Sequence, residues 1–197
     1  MTKAEQTRQY IIETTAPIFN IKGYENTSLA DVQEATKLTK GAIYGNFSDK
    51  KELVIAAYNY NYSRLIETIE AMMSKQPSAK EAIVSYVNFY VKNWKLVFQR
   101  GGCPIMNASI EADDYLHFLK NSVQNSMKKF IGLLQHKIEE GQSNGEFSNK
   151  VDAAEYASMI FATMEGSILL AKTMNDKKYF KFAADRITFI VEKELTA

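Results

Sequence analysis

The sequence has a single cysteine, Cys103, and only two histidines in 197 residues. One cysteine cannot form an internal disulfide, and no set of cysteines and histidines has the spacing of a metal site. We therefore expect no metal, no cofactor, and a reducing compartment such as the cytoplasm. Cys103 itself is interpreted as a small buried apolar residue, with a thiol-based sensor as the alternative.

Proline and glycine are also scarce, at three and nine residues, and no stretch is rich in Pro, Gly or Ser. The chain therefore lacks the composition of a flexible linker, and a domain boundary has to lie inside a helix. The N-terminus has no apolar signal core, and the longest apolar runs fall far short of the roughly 20 residues that span a membrane. We expect a soluble protein that is not exported and has no membrane partner.

Apolar residues make up 46% of the chain and recur at helical spacing, as Ala184, Ile187 and Val191 do near the end. No segment alternates convincingly with a period of two residues, so we predict an all-α fold. The nine predicted helices span roughly residues 4–22, 29–36, 40–46, 49–74, 78–99, 105–113, 115–141, 152–174 and 177–196.

Residues 27–53 contain two short predicted helices, a tight turn and the start of a third helix. Ser28, with Asp31 three residues later, has the pattern that caps a helix start. The second short helix contains Gly41 and Gly45, each of which costs about 1 kcal/mol relative to alanine inside a helix. Such a cost suggests that the helix surface approaches another molecule closely. The layout is typical of a helix-turn-helix, whose second helix enters the major groove of DNA.

Positive charge is concentrated in the same part of the chain. Residues 37–51 contain four lysines and one aspartate, a net charge of +3, whereas the whole chain carries +1. Short polar and methyl-bearing side chains can read base edges, and Thr39, Lys40 and Ala42 are the candidates for this role. The alternative is an ordinary corner of a helical bundle with solvated lysines. The predicted DNA-contacting residues are Ser28, Thr39, Lys40, Gly41, Ala42, Tyr44, Gly45, Asn46 and Lys50.

A series of spaced residues runs through this segment: Gly23-Tyr24, Thr27-Ser28-Leu29, Ile43-Tyr44, Phe47, Lys50 and Glu52-Leu53. The series resembles the DNA-binding signature of the TetR family of one-component transcriptional repressors. The resemblance implies a nine-helix fold with a helix-turn-helix DNA-binding domain at 1–53 and a helical ligand-sensing and dimerisation domain at 54–197. It also implies that Tyr44 and Lys50 contact phosphates and that residues 39–46 form the recognition helix.

Residues 54–197 are rich in aromatic side chains and methionine. Ligand pockets are mostly apolar with a few polar groups, so we predict a small, largely apolar or aromatic effector, oriented by Asn107, Glu111 or Glu165. The run from Gly102 to Asn107, followed by Glu111, resembles a common subgroup of TetR sensor domains. An ordinary hydrophobic core is the alternative. The predicted ligand-binding residues are Tyr62, Tyr86, Phe89, Tyr90, Trp94, Met106, Asn107, Glu111, Phe130, Phe161 and Glu165.

A row of small residues at every fourth position of a helix lets a second helix approach closely. We predict that such a row, with apolar residues of the final helix, forms a four-helix interface between two copies of the chain. A dimer of this kind reads a palindrome with half-sites about 34 Å apart. The alternative is that the row packs within one chain. The predicted interface residues are Ala154, Ser158, Ala162, Gly166, Ile187, Ile190 and Val191.

These features together predict a ligand-responsive repressor that binds palindromic operator DNA as a homodimer and is released by its effector. The alternative is a helical small-molecule-binding protein or enzyme whose N-terminal bundle does not bind DNA. A further possibility is an activator or nucleoid component that keeps DNA binding. No Ser/His/Asp set, paired carboxylates or glycine-rich phosphate loop emerges from the sequence, so we do not expect an enzyme.

Overall fold

All regular elements of the protein are helical in the computed structural model, which describes residues 1–196. Within these residues the α-helices are α1 (Lys3–Lys22), α2 (Leu29–Thr36), α3 (Lys40–Tyr44), α4 (Lys50–Met73), α5 (Ala79–Lys92), α6 (Trp94–Gln99), α7 (Pro104–Asp114), α8 (Lys120–Ser143), α9 (Ala153–Thr173) and α10 (Lys178–Phe189). A 3-10 turn at His117–Leu119 precedes α8, and a π-helical turn at Ile190–Glu194 follows α10. The all-α prediction is confirmed.

Side-chain caps determine where α2 and α3 begin. The hydroxyl oxygens of Ser28 and Thr39 each accept a hydrogen bond at 3.2 Å, from the amides of residues 31 and 42 respectively. Such caps satisfy amides that have no partner inside the first helical turn. Lys37, between the two helices, has a left-handed backbone (φ 58°) and turns the chain toward α3.

The predicted helix at 78–99 is divided into α5 and α6 at Asn93. The Nδ2 group of Asn93 donates to the carbonyl oxygen of Phe89 at 2.8 Å, and the Asn93 amide donates to the same oxygen at 2.9 Å. Asparagine disfavours helix interiors because its side chain bonds to nearby backbone groups. The prediction of one continuous helix is therefore wrong at this residue.

The chain forms two compact units. The first contains residues 1–65 and 100–126, and the second contains residues 66–99 and the described residues from 127 onward. The helix α7 therefore belongs to the same unit as α1, α2 and α3, although it is distant in sequence. The predicted functional boundary between residues 53 and 54 does not follow this grouping and stays a prediction.

An aromatic cluster lies at the centre of the first unit. The rings of Phe19 and Tyr24 stack with centroids 6.1 Å apart, and the Tyr24 ring meets Tyr58 edge-on at 5.9 Å. All three side chains are fully buried, as are Ile11 and Ile43. Burial raises the pKa of the Tyr24 hydroxyl, which therefore stays neutral. This core holds the inner sides of α1, α3 and α4.

In the second unit, α10 packs against both α5 and α9. The buried residues of α5 recur three or four positions apart, so they form one face of the helix. These residues are Ala79, Ala82, Ile83, Tyr86, Val87 and Tyr90. The buried face of α10 consists of Phe180, Ala183, Ala184 and Ile187. The second unit therefore has a hydrophobic core of its own.

Two glycines of α8 provide a matched test of this packing. Gly141 is buried, and a Cβ there would collide with the Phe147 ring and lie 3.0 Å from the Cβ of Ala79. Gly132 is exposed, and outside its own helix no described atom lies within 4 Å of an added Cβ. We expect Gly132→Ala to raise the free energy of unfolding by about 0.5–1 kcal/mol, because alanine favours a helix. Gly141→Ala should lower it by about 1–3 kcal/mol through overpacking.

Urea unfolding of the two variants and the parent chain measures this difference. Shifts of the same sign and size in both variants would contradict the packing described around Gly141.

Candidate nucleic-acid interface

The surface of α3, with the turn that precedes it, is the candidate site. The helix directs Ile43 into the core, and Phe47 is buried just beyond its end. The opposite side of this five-residue helix faces outward. The predicted contact residues Ser28, Thr39, Lys40, Gly41, Tyr44 and Gly45 are exposed, whereas Ala42, Asn46 and Lys50 are half-buried.

Two contacts order the outer side of α3. The Lys40 ammonium lies 5.9 Å from the centre of the Tyr44 ring, within the range of a cation–π attraction. The Thr39 hydroxyl accepts the Ala42 amide as a cap, and its own proton can still donate. A cation, a phenol and a hydroxyl therefore lie on one short helix. Such groups can donate to phosphate oxygens and to acceptors on base edges.

The C-terminal end of α3 is closed by its own polar groups. The Nδ2 group of Asn46 donates to the carbonyl oxygen of Ala42 at 2.9 Å, and the Gly45 amide donates to the Gly41 carbonyl at 2.9 Å. A Cβ at Gly45 would lie 3.3 Å from that Gly41 oxygen, so a small residue suits this position. One of the two N–H donors of Asn46 is thus used inside the helix, which reduces its capacity for the predicted contact with DNA.

Arg8, on α1, attaches the end of α3 to the rest of the unit. Its guanidinium lies 4.1 Å from the centre of the Phe47 ring and donates from Nη1 to the carbonyl oxygen of Asn46. Its Nη2 pairs with Glu52 of α4 at 2.7 Å. A planar guanidinium can stack and bond in two directions at once, which a lysine cannot do. Sequence reasoning missed Arg8 because its partners lie far along the chain.

Glu52 completes this arrangement at the start of α4. Its carboxylate accepts the Ser48 amide at 2.7 Å in addition to pairing with Arg8. The Ser48 bonds, with the Arg8 guanidinium adding to them, hold the pKa of Glu52 below its ordinary value. The carboxylate therefore stays charged at neutral pH and keeps Arg8 over the Phe47 ring.

Lys50, the first residue of α4, is bonded to the loop between α1 and α2. Its ammonium donates to the carbonyl oxygen of Glu25 at 2.8 Å. An ammonium carries three donors, so this bond orients Lys50 and leaves donors for an anion. The sequence predicted Lys50 as a phosphate contact but did not predict its bond to the loop.

Ser28 begins α2 beside a second ion pair. The Asp31 carboxylate accepts the amide and the hydroxyl of Ser28, each at 2.8 Å, and pairs with Lys22 at 2.6 Å. The bond from Lys22, with the bonds from Ser28, lowers the pKa of Asp31 to about 2. The start of α2 therefore has a fixed geometry with Ser28 on its outside.

The structure brings several of the predicted ligand-binding aromatic residues together in the second unit. Phe161 lies 5.3 Å from Phe130, and Phe130 lies 5.6 Å from Tyr86, measured between ring centroids. Tyr86 continues the row to Tyr90 at 5.7 Å, and Tyr90 contacts Phe89 at 5.2 Å. The five rings form one connected row that is mostly buried.

Other predicted ligand-binding residues lie at the ends of this row or in the first unit. Trp94 joins the row through Phe98, at 5.5 Å, and Phe180, which also contacts Tyr90. Glu165 is buried on α9, one helical turn after Phe161. Tyr62 and Met106 belong to the first unit, so the predicted set is divided between the two units.

Asn107 and Glu111 bond to the backbone of the first unit. The Glu111 carboxylate accepts the amides of Tyr24 and Glu25 at 2.9 and 2.7 Å. The Nδ2 group of Asn107 donates to the carbonyl oxygens of Asn20 and residue 101 at 3.1 and 3.0 Å. These bonds give both residues a structural role, and their orientation of an effector stays a prediction.

The predicted row of small residues lies on the outer surface of α9. Ala154, Ser158 and Ala162 are exposed, and Gly166 is half-buried. Outside the helix itself, no atom of the described residues lies within 4 Å of a Cβ added to Gly166. The row is thus not packed within residues 1–196 as the alternative interpretation required.

The predicted contribution of α10 and its final turn to an interface needs correction. Ile187, Ile190 and Val191 are at most 1% exposed, because they pack into the core of the second unit. The exposed apolar residues of α10 are Phe182 and Phe189, at 58% and 50%. The sequence pattern correctly indicated a helix, but the apolar residues assigned to the interface face the core of the chain.

Cys103 is buried at the position that caps α7, and its interpretation as a buried residue is confirmed.

Between residues 1 and 196, no group of three or more His, Cys, Asp or Glu is placed to hold a metal ion. Over the same described range, no helix has the length and apolar character to cross a membrane.

Comparison with protein-family models identifies two matching regions. Residues 11–57 match the model of bacterial regulatory proteins of the tetR family. Residues 79–187 match the model of the tetracyclin repressor-like C-terminal domain. The two matches include the candidate interface and most of the second unit.

Known proteins are similar over nearly the whole chain. The HTH-type transcriptional regulator YxaF of Bacillus subtilis is 24% identical over 195 residues, which cover 98% of this chain and all of YxaF. A TetR-family transcriptional regulator from Cytophaga hutchinsonii superposes with a TM-score of 0.92 at 34% identity, covering 97% of this chain and 96% of that one. A cysteine mutant of the TetR-family regulator CifR, solved with 26 bp double-strand operator DNA, has a TM-score of 0.79 at 19% identity, covering 91% and 94%.

Proposed function

Because the chain belongs to the tetR family of bacterial regulatory proteins, we propose that it is a ligand-responsive repressor that binds a palindromic operator as a homodimer. Members of this family are DNA-binding transcription regulators and not enzymes, which sets aside the enzyme alternative. The observation that carries the proposal is the outward side of α3, held in place by Arg8 and Glu52. Operator DNA as the partner implies the cytoplasm as the site of action.

In the proposed complex, α3 enters the major groove of DNA. Thr39, Lys40 and Ala42 contact base edges, and the glycine at 41 lets the backbone approach. Tyr44 and Lys50 donate to phosphates, which position the protein without reading sequence. The net charge of +3 over residues 37–51 supports this orientation. The CifR regulator, solved with operator DNA, supplies a precedent in a chain of the same fold.

The proposed homodimer uses the exposed faces of α9 and α10. The row that includes Ala162 and Gly166 allows close helix approach, and its neighbours Leu169 and Leu170 are exposed at 53% and 48%. Phe182 of α10 adds a large exposed ring. Exposed apolar area of this kind is typical of a protein interface. A second copy is the partner, because a five-residue helix contacts few base pairs and a symmetric pair doubles the contacts.

The proposed effector is a small, largely apolar or aromatic molecule bound beside the row of aromatic rings in the second unit. Tyr86, Phe130 and Phe161 supply apolar surface there, and Glu165 supplies a polar group on the same buried face of α9. Pockets of this composition bind ligands of this class. Effector binding favours a state of the dimer whose recognition helices no longer fit adjacent major grooves.

The function is tested by selecting bound sequences from random duplex DNA with the full-length chain. We expect a palindrome with half-sites about one helical turn apart, since a two-fold dimer presents two equal helices. Compounds of the proposed class can then be screened for release of that duplex. Trp94 is the single tryptophan, so its fluorescence provides a second signal of compound binding. Failure to enrich any sequence would refute DNA reading, and an asymmetric site would refute the symmetric dimer.

Salt dependence tests the phosphate contacts of Tyr44 and Lys50. We expect Tyr44→Phe combined with Lys50→Ala to weaken operator and non-specific binding by similar factors. The slope of log K against log salt should become shallower by about 1, because one cationic phosphate contact is lost. Lys75→Ala removes an equal charge outside residues 37–51 and serves as the control. Slopes that are equal in both variants would contradict the phosphate role of Lys50.

Phe182→Asp tests the proposed dimer face. The ring is 58% exposed, so the substitution should leave the fold of one chain intact and place a charge in the interface. We expect a monomer by analytical ultracentrifugation and a loss of operator affinity. Ile110→Asp makes a similar change at a residue that is 62% exposed on α7, and it should remain dimeric. A Phe182→Asp variant that stays dimeric would place the interface elsewhere.

A further inference from the structure

Both oxygens of the Glu111 carboxylate accept bonds from the loop that connects α1 to α2. Its Oε1 accepts the Tyr24 amide at 2.9 Å, and its Oε2 accepts the Glu25 amide at 2.7 Å. Bonds from amides to a charged acceptor are stronger than bonds to a neutral one. These partners are 87 and 86 residues away in sequence, so α7 holds this loop from a distant part of the chain.

The loop residue Glu25 is bonded on both sides. Its amide donates to Glu111, and its carbonyl oxygen accepts the Lys50 ammonium at 2.8 Å. One residue of backbone therefore links a carboxylate on α7 to the lysine that starts α4. A displacement of the carboxylate moves the oxygen that orients Lys50.

The shape of the loop suits this contact. Gly23 ends α1 with a φ of 98°, and a Cβ at this position would lie 3.4 Å from the nearer oxygen of Glu111. A side chain at residue 23 would be strained by this φ, although the added Cβ would only be in ordinary contact with the carboxylate. The glycine thus supplies the backbone turn that precedes the two consecutive amides bonded to Glu111.

A second attachment lies one helical turn earlier on α7. Asn107 donates to the carbonyl oxygen of Asn20 in the last turn of α1 and to that of Gly101. Gly101 has a φ of 85°, and a Cβ there would lie 2.7 Å from the same Asn20 oxygen. The helix α7 therefore bonds to α1 through Asn107 and to the loop after α1 through Glu111, and of these two contacts the one at Glu111 leads on to Lys50.

We propose that Glu111 is a positioning residue for DNA binding, which sets the location of Lys50 through the backbone of Glu25. A movement of α7 then changes DNA affinity through this carboxylate, without any direct contact between α7 and DNA. The proposal rests on the proposed function, because it takes Lys50 as a phosphate contact.

Glu111→Gln tests the proposal against Asp114→Asn, which removes the same charge from the same helix at an exposed position. Loss of a negative charge by itself strengthens attraction to DNA, so Asp114→Asn should bind the selected duplex as tightly as the parent or slightly more tightly. Glu111→Gln should bind about tenfold more weakly, because a neutral amide cannot accept both backbone bonds. Equal affinities of the two variants would overturn the proposal.

A double-mutant cycle with Lys50→Ala separates positioning from general stability. If Glu111 acts through Lys50, the loss caused by Glu111→Gln should largely disappear when Lys50 is already alanine. Fully additive losses would refute the route through Lys50. Thermal midpoints of all four proteins show whether each variant is folded at the temperature of the binding measurement.

Amide exchange in the unmodified protein supplies a measurement that needs no variant. The amides of Tyr24 and Glu25 should exchange more slowly when the selected duplex is added, because DNA binding and the Glu111 bonds stabilise each other. Unchanged exchange at both amides would overturn the proposal. If the unmodified protein binds no duplex at all, the proposed function fails instead of this inference.

Discussion

The outward presentation of α3 is the constraint on which the rest of the structure depends. A helix of five residues is far too short to be stable alone, so tertiary contacts have to determine its direction. Ile43 and Phe47 anchor its inner side, and the Arg8 guanidinium stacks on Phe47 while bonding the backbone at the helix end. With these contacts in place, the polar and glycine residues of the outer side are left for another molecule.

The residues proposed to read DNA are held by contacts from outside their own segment. Arg8 lies on α1, and Glu111 lies on α7, which comes after residues 66–99 of the second unit in sequence. Both side chains are charged, and both bond to backbone groups, so they fix chain position and do not merely fill space. If DNA affinity responds to a ligand as proposed, such remote contacts are suitable points of control.

Local patterns predicted the parts of the fold that depend on residues a few positions apart. Ser28 with Asp31 marked the start of α2, and the bonds between them are present. The same reasoning failed at Asn93, where a side-chain bond to residue 89 divides a long apolar repeat into two helices. It also failed at Ile187, because a periodic pattern defines an apolar face without saying what that face packs against.

The sequence by itself determined that the chain is helical, where α2 and α3 begin and which residues α3 carries, because hydrogen bonds and side-chain caps act within about four residues. Only the tertiary structure decided that Arg8 supports α3, that Glu111 binds the loop after α1 and that Phe182 lies outward. The contacts of Arg8 and Glu111 join residues that are 38 to 87 positions apart in sequence. The exposure of Phe182 depends on which helices pack against α10. Such pairings follow from the packing of whole helices, and no local pattern contains them.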